Sequence, residues 1–213
     1  VQHRESSEFK KDKLKVLAEL TKLRQICCDP RLHYEDYKAG SAKLDTCMEL
    51  VHGALDGGHR VLLFSQFTGM LDIIGKRLAK EDIAFLKLTG ASSKESRAKM
   101  VAQFQAGEVP VFLISLKAGG VGLNLTAADV VIHYDPWWNV AAQDQATDRA
   151  HRIGQQHTVT VYKLIAKDTI EERIMQMQES KRDLVNSVLG GDGISSALFT
   201  REDVLALLGG DGR

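Results

Sequence analysis

The segment QATDRAHRIGQ, residues 145–155, has residue types and a spacing suited to binding a polyphosphate. It places Arg149 and Arg152 one helical turn apart, so both side chains would share a helix face. A guanidinium carries a permanent charge and a planar fork of donors that matches phosphate oxygens. A pair of them can therefore stabilise the charge that develops during phosphoryl transfer. The alternative is a solvent-exposed helix whose arginines pair with Asp144 and Asp148.

A second candidate is a glycine-rich segment that contains Gly119, Gly120 and Gly122. Glycine lets backbone amides approach a phosphate closely, and Ser115 and Lys117 add a hydroxyl and a charge nearby. A plain turn would explain the glycines but not these two neighbours. No GxGxxG motif is present, so the pattern favours contact with a phosphate backbone over a dinucleotide site.

Further side chains suited to nucleic acid follow three apolar runs. Trp137 and Trp138 are the only tryptophans, and their rings are expected either to stack on bases and enter a groove or to be buried under the next helix. Ser65 and Gln66 follow an earlier run and Thr89 follows another. Small and amide side chains of this kind suit contacts with sugar and phosphate.

The elements that must position these residues are five short apolar runs separated by helical stretches. The runs are VLLF (61–64), AFLKL (84–88), VFLIS (111–115), DVVIHY (129–134) and VTVYKLIA (159–166). The helical stretches between them cover 69–81, 93–106 and 139–150. Such alternation predicts a parallel sheet covered by helices on both faces, and nearly continuous apolar strands are typical of that arrangement. The loops after the strands would then meet at one edge.

Helices are also predicted on both sides of this region. A helix over 9–28 is ended by Pro30, and Ser41 caps a second helix that ends at Gly57. A capping box at Thr169 begins a long helix, which we expect to pack on the sheet rather than against a partner domain. Residues 200–208 are predicted to form a short final helix.

Composition sets limits on the class of protein. The chain has 213 residues, 44% of them hydrophobic, and equal numbers of Lys+Arg and Asp+Glu, 28 each. This predicts a globular domain without a basic tail. No apolar run approaches the roughly 20 residues of a membrane span, and no signal-peptide core is present, so an intracellular protein is expected. The charged start at Val1 is typical of a fragment of a longer protein.

The cysteines indicate neither a disulfide nor a metal centre. Cys27 and Cys28 are adjacent and poorly placed to bridge each other, and three cysteines fit a reducing compartment. Together with His33, Cys47 and His52 they match no standard zinc spacing. We therefore predict no metal site.

Two motifs of a complete ATPase are absent from the sequence. There is no GxxxxGK[ST] phosphate loop and no DExH-type acidic cluster to hold magnesium. The chain therefore has arginines suited to binding phosphate but no phosphate-binding loop, as expected of the second half of a two-lobed enzyme.

Taken in order, the motifs resemble the C-terminal helicase lobe of the Swi/Snf family of DNA-translocating ATPases. They are VLLFSQF, LTG with Arg97, SLKAGGVGLNLTAADVVIHYDPWWN and QATDRAHRIGQ. The resemblance spans roughly residues 10–190, and CCDPRL resembles the helical protrusion of bacterial members. Val140 stands where the family usually has proline. The resemblance implies a RecA-like α/β fold with a parallel sheet and helices on both faces.

It also implies a division of the chain. The expected parts are a helical protrusion segment (1–38), a RecA-like helicase C-terminal lobe (39–167), a long C-terminal helix packing on that lobe (168–190) and a tail with a short helix (191–213). By the same resemblance Arg149 and Arg152 are arginine fingers supported by Gln145, and Gly122 and Asn124 lie near the nucleotide ribose. The DNA-facing residues it implies are Ser65, Gln66, Thr89, Ser115, Lys117 and Trp138.

The expected function is that of the second motor lobe of an enzyme that tracks double-stranded DNA with ATP. ATP and Mg²⁺ would be held by the missing N-terminal lobe of the same chain, so the fragment alone would be inactive. Expected partners are double-stranded DNA, that N-terminal lobe and DNA-bound proteins, without a membrane. The resemblance places the protein in the bacterial cytoplasm, at the nucleoid. The alternatives are a strand-separating helicase lobe and a degenerate lobe that acts as a protein-interaction module.

Overall fold

The computed structural model describes residues 2–116, 118, 123–137, 140–150 and 158–189. Its α-helices are α1 (Gln2–Cys28), α2 (Ala42–Asp56), α3 (Thr68–Lys80), α4 (Lys94–Gln105), α5 (Val140–Thr147) and α6 (Ile170–Leu189), with a 3-10 turn at Pro30–Leu32. Its strands are β1 (Val61–Ser65), β2 (Phe85–Leu88), β3 (Val111–Ser115), β4 (Val130–His133) and β5 (Thr160–Lys163). Two compact units are distinguished, one within residues 38–165 and the other formed by the parts before and after it.

The larger unit contains a five-stranded sheet in the order β2-β3-β1-β4-β5. All four strand pairs are parallel, which confirms the predicted sheet and its five strands. Strands β1, β3 and β4 are buried along their whole length, as their apolar runs predicted. The prediction of cover on both faces is wrong for β5, because this strand lies at the sheet edge and all four of its residues are exposed.

Two helices of this unit, α2 and α4, begin at side-chain caps. Ser41 caps α2 as predicted, since its Oγ accepts a hydrogen bond from Leu44 N at 3.3 Å. For α4 the sequence predicts a capping box of Ser92 with Glu95, but this is one residue early, because Ser93 and not Ser92 accepts from Ser96 N, at 3.1 Å. The Ser92 hydroxyl instead accepts from Thr89 N at 3.2 Å, closing the turn after β2.

The core of this unit lies on the sheet and holds its central strands together. Phe104 of α4 contacts Phe112 of β3, with ring centroids 5.4 Å apart. Helix α3 approaches β2 closely at Gly75, where an added Cβ would lie 3.0 Å from the Phe85 ring. Burial of these apolar groups supplies the main free energy that fixes the loops at the sheet edge.

In the smaller unit, α1 packs against α6. The Glu171 carboxylate is fully buried and accepts a hydrogen bond from Ala166 N at 2.8 Å. Thr169 caps α6 at its predicted position by accepting from Glu171 N at 3.2 Å, while Glu172 accepts from Asp168 N at 2.9 Å. Packing of this helix on the sheet stays a prediction, and residues 190–213 lie outside the described part of the chain.

Candidate functional site

The parallel strands bring several predicted site residues to the carboxyl edge of the sheet. Ser65 at the end of β1 is in register with Ser115 at the end of β3. Thr89 directly follows Leu88, which pairs with Ile114 of β3. The sheet therefore gathers these loops at one edge, as the order of the strands predicted.

The Asp135 carboxylate is the centre of a buried cluster at this edge. The Ser65 hydroxyl donates a short hydrogen bond to Asp135 Oδ1, and Gln66 N donates to Oδ2 at 3.2 Å. Ser65 Oγ in turn accepts from Phe67 N at 3.1 Å. Asp135 thus joins the turn after β4 to the turn after β1.

This cluster corrects the orientation that we expected for two hydroxyls. Ser65 and Ser115 were predicted to face DNA, but both side chains are buried. The Ser65 hydroxyl has an internal partner in Asp135, which sequence reasoning missed. An acidic residue two positions after a strand that is buried along its whole length was the available signal, because a buried carboxylate needs hydrogen-bond donors.

Gln66 and Thr89 lie closer to the surface, as expected for ligand-binding residues. Both are half-buried. The Gln66 amide nitrogen is buried and has no hydrogen-bond partner among the described residues. An unsatisfied donor of this kind is costly, and a ligand oxygen at the edge of the sheet would relieve that cost.

The glycine-rich segment is described only at its two ends. Leu116 N donates to Ser65 O at 3.0 Å, and Arg97 Nη1 donates to Ala118 O at 3.1 Å. Asn124 is exposed, and its predicted place near the nucleotide ribose stays a prediction. Predicted site residues Lys117 and Gly122 lie outside the described residues.

The arginine-containing segment differs from the prediction at its helix end. Helix α5 ends at Thr147, so Arg149 lies in the following turn and not on the helix face that we predicted. Its side chain is only 3% exposed, which excludes the solvent-exposed alternative for this arginine. Gln145 is exposed, and Arg149 O accepts from Leu125 N at 3.0 Å. Arg152 and Trp138 lie outside the described residues.

A chain of hydrogen bonds fixes α5 on β4. His133 Nε2 lies 2.9 Å from Thr147 Oγ1, which lies 3.3 Å from Gln143 O. The Gln143 side chain continues the chain by accepting from Trp137 N at 3.3 Å. These four residues form what we term the β4–α5 network. The sequence gives no signal for it, because the contacts depend on how the helix packs on the strand.

His133 is neutral in this network. Burial, with a smaller contribution from the charge of Lys163 beside it, lowers the pKa of His133 from 6.5 to about 4. We assign its proton to Nε2, which then donates to Thr147, leaving the Thr147 hydroxyl free to donate to Gln143 O. The other tautomer would bury an Nδ1–H group without an acceptor among the described residues.

Metal chemistry has no support in the part of the chain that the structure describes. No group of three or more His, Cys, Asp or Glu side chains there could hold a metal ion. None of the three cysteines forms a disulfide, and burial raises the pKa of the Cys47 thiol to about 12. Among the described helices, none is long and apolar enough to cross a membrane.

Comparison with known proteins identifies the family. The model of the helicase conserved C-terminal domain matches residues 42–154. The solved structure of the Sulfolobus solfataricus SWI2/SNF2 ATPase C-terminal domain is 34% identical, with a TM-score of 0.71 over 92% of this chain and 78% of that one. The chain belongs to the SWI2/SNF2-type helicase C-terminal domains. The predicted family and RecA-like fold are thereby confirmed.

Two further relatives of this helicase C-terminal domain are longer. A Mycoplasma pneumoniae protein described as an uncharacterised ATP-dependent helicase is 42% identical over 92% of this chain and 19% of its own length. The Sulfolobus solfataricus SWI2/SNF2 ATPase core in complex with double-stranded DNA is 36% identical, with a TM-score of 0.73 over 92% of this chain and 42% of that one. The chain spans about a fifth of the length of its curated relatives from Mycoplasma and Bacillus.

Proposed function

We propose that this domain is the second motor lobe of an ATP-dependent enzyme that translocates on double-stranded DNA. The observation that carries the proposal is the carboxyl edge of the sheet, where the half-buried Gln66 follows β1, the neighbour of the strand that leads into α5, and the half-buried Thr89 follows β2. Membership of the SWI2/SNF2 group supports the same function, as does the DNA complex of the Sulfolobus relative.

The DNA side of the lobe is formed by Gln66, Thr89, Lys117 and Trp138. Gln66 has a donor without a protein partner among the described residues, and its backbone is held by Asp135. Ser65 and Ser115 are buried and support this surface without contacting DNA. Ser65 does so by orienting the Asp135 carboxylate through a hydrogen bond. Contacts of this kind go to the DNA backbone and carry no sequence information, so binding would be largely independent of sequence.

The nucleotide side is formed by Arg149, Arg152 and Gln145, with Gly122 and Asn124 near the ribose. Bound ATP, with Mg²⁺ held by the other lobe, supplies the phosphoryl group that is transferred to water. The arginines of this chain stabilise the negative charge that develops on that group, and the exposed Gln145 supports them. Closure of the lobes on ATP and their release after hydrolysis would advance each lobe along the phosphates.

A strand-separating helicase is the second candidate, because the Mycoplasma relative is described as a helicase. The two functions are distinguished with the full-length protein on one linear duplex carrying a triplex-forming strand. A translocase displaces the third strand with ATP and leaves the duplex intact, whereas a helicase releases single strands from the duplex itself. Absence of DNA-stimulated hydrolysis in the full-length protein would favour the protein-interaction module over both.

A further inference from the structure

The β4–α5 network crosses from one side of the proposed motor site to the other. Its first member is the backbone amide of Trp137, in the turn that leads to the DNA-side residue Trp138. On the helix side it includes Thr147, which is hydrogen-bonded to His133 and is the final residue of the helix that carries Gln145. Two residues later, Arg149 O is held by Leu125 N, at the far end of the glycine-rich segment.

The burial of His133 makes this network costly in desolvation free energy unless its geometry has a use. His133 is 1% exposed, stacks on Phe64 with centroids 5.5 Å apart and leaves Nδ1 without a partner among the described residues. An apolar side chain at this place would avoid desolvating an imidazole. The imidazole supplies a directional hydrogen bond to Thr147. This bond fixes how α5 is rotated about its axis and where it lies along the strand.

The second bond of Thr147 is ordinary by comparison. A threonine hydroxyl that bonds the carbonyl four residues earlier is common in helices, and Thr21 does the same with Leu17 O at 2.8 Å in α1. Thr21 is exposed and makes no tertiary hydrogen bond to another described residue, whereas Thr147 also holds His133. The difference between the two threonines is therefore the link to the strand.

We propose that Thr147 is a positioning residue that couples the DNA-side turn after β4 to the nucleotide-side helix α5. Through His133 and Gln143 it makes the Trp137 turn and the end of α5 move as one body. A displacement of the arginine-containing turn during hydrolysis is thereby transmitted to the DNA-side turn. This inference rests on the proposed motor function and adds the residues that join its two sides.

The test uses the full-length protein and a linear duplex with a triplex-forming strand. Thr147→Val keeps the shape of the side chain and removes the hydroxyl, while Thr147→Ser restores the hydroxyl. The readout is the ratio of ATP hydrolysed to base pairs travelled, which a loss of stability alone would not change. We expect Thr147→Val to raise this ratio at least about fivefold, the lower end of usual couplings between sites, and Thr147→Ser to stay near the wild-type ratio.

Thr21→Val is the matched control, because it removes the same helical hydroxyl bond without a link to a strand. Gln143→Met breaks the Trp137 bond and should raise the ratio in the same direction, which keeps the test decisive if Thr147→Val does not fold. The inference is overturned if the foldable variants keep the wild-type ratio, or if Thr147→Ser is as defective as Thr147→Val. A wild-type protein without DNA-stimulated hydrolysis would instead defeat the motor function itself.

Discussion

At the scale of single residues, burial divides the candidate site into two groups. Gln145 and Asn124 are exposed and Gln66 is half-buried, so they are available to ligands. Asp135 and Arg149 are almost fully buried, at 1% and 3% exposure. Buried charges are stable only when their surroundings compensate them, so changes at these two positions will affect folding as well as activity.

Arg152 offers the cleanest test of the arginine-finger hypothesis. In the full-length protein, Arg152→Ala should lower kcat by about 10³-fold or more while DNA affinity stays nearly unchanged, because a finger acts on charge in the transition state. Steady-state hydrolysis and duplex binding measure the two effects. Arg77→Ala is a suitable control, since Arg77 is a surface residue paired with Glu81 and Asp45.

Arg149→Ala should also lower kcat, but its burial predicts a lower melting temperature as well. Normal hydrolysis by both variants would leave these arginines with a structural role only.

His133 predicts a specific dependence of stability on pH. Its pKa in the folded chain is about 4, below its ordinary value of 6.5, so between these values the unfolded chain binds the proton more strongly. The contribution of His133 to the free energy of unfolding is therefore complete above pH 6.5 and falls by about 3 kcal/mol on acidification to pH 4. Urea unfolding at several pH values, compared with His133→Phe, measures this contribution. Identical pH slopes in both proteins would contradict it.

At the scale of elements, the sequence predicted what hydrophobic patterning determines. The continuous apolar runs at β1, β3 and β4 located the buried strands, because only a sheet covered on both faces requires them. The run at β5 is less continuous, because Thr160 and Lys163 interrupt its apolar residues, and all four residues of the strand are exposed at the sheet edge. Nothing in the local sequence shows that α5 ends at Thr147 or that Arg149 is buried.

Arg97, one of the residues that carry the family resemblance, contacts the glycine-rich segment in the structure. Its bond to Ala118 O lies next to Lys117, so Arg97→Leu should increase tryptic cleavage after Lys117. Loss of a charged hydrogen bond predicts an increase of about tenfold in the local open population, and hence in the cleavage rate. Mass spectrometry of this one peptide bond measures it. Lys99→Leu removes an exposed cation from the same helix and should have no such effect, and an unchanged rate in Arg97→Leu would show that the bond does not hold the segment.

At the scale of the whole molecule, the proposed binding to DNA would have to come from local charge. Lys+Arg and Asp+Glu are equal in number, so the total charge gives the lobe no general attraction for nucleic acid. Individual cations at the sheet edge should therefore account for its dependence on salt. Movement along DNA is a property of two lobes, and this chain covers about a fifth of its full-length relatives.

We therefore expect substitutions of Lys117 and of Trp138 to impair different properties of the full-length protein. Lys117→Ala should weaken duplex binding equally across sequences and reduce the slope of log affinity against log salt by about one, because one phosphate contact is lost. Trp138→Ala removes an uncharged ring, so the salt slope should stay near its wild-type value. If the ring acts as a foothold in the groove, DNA-stimulated hydrolysis persists while triplex displacement slows. A Trp138→Ala protein that melts many degrees lower and loses both activities together would instead assign the ring to the core.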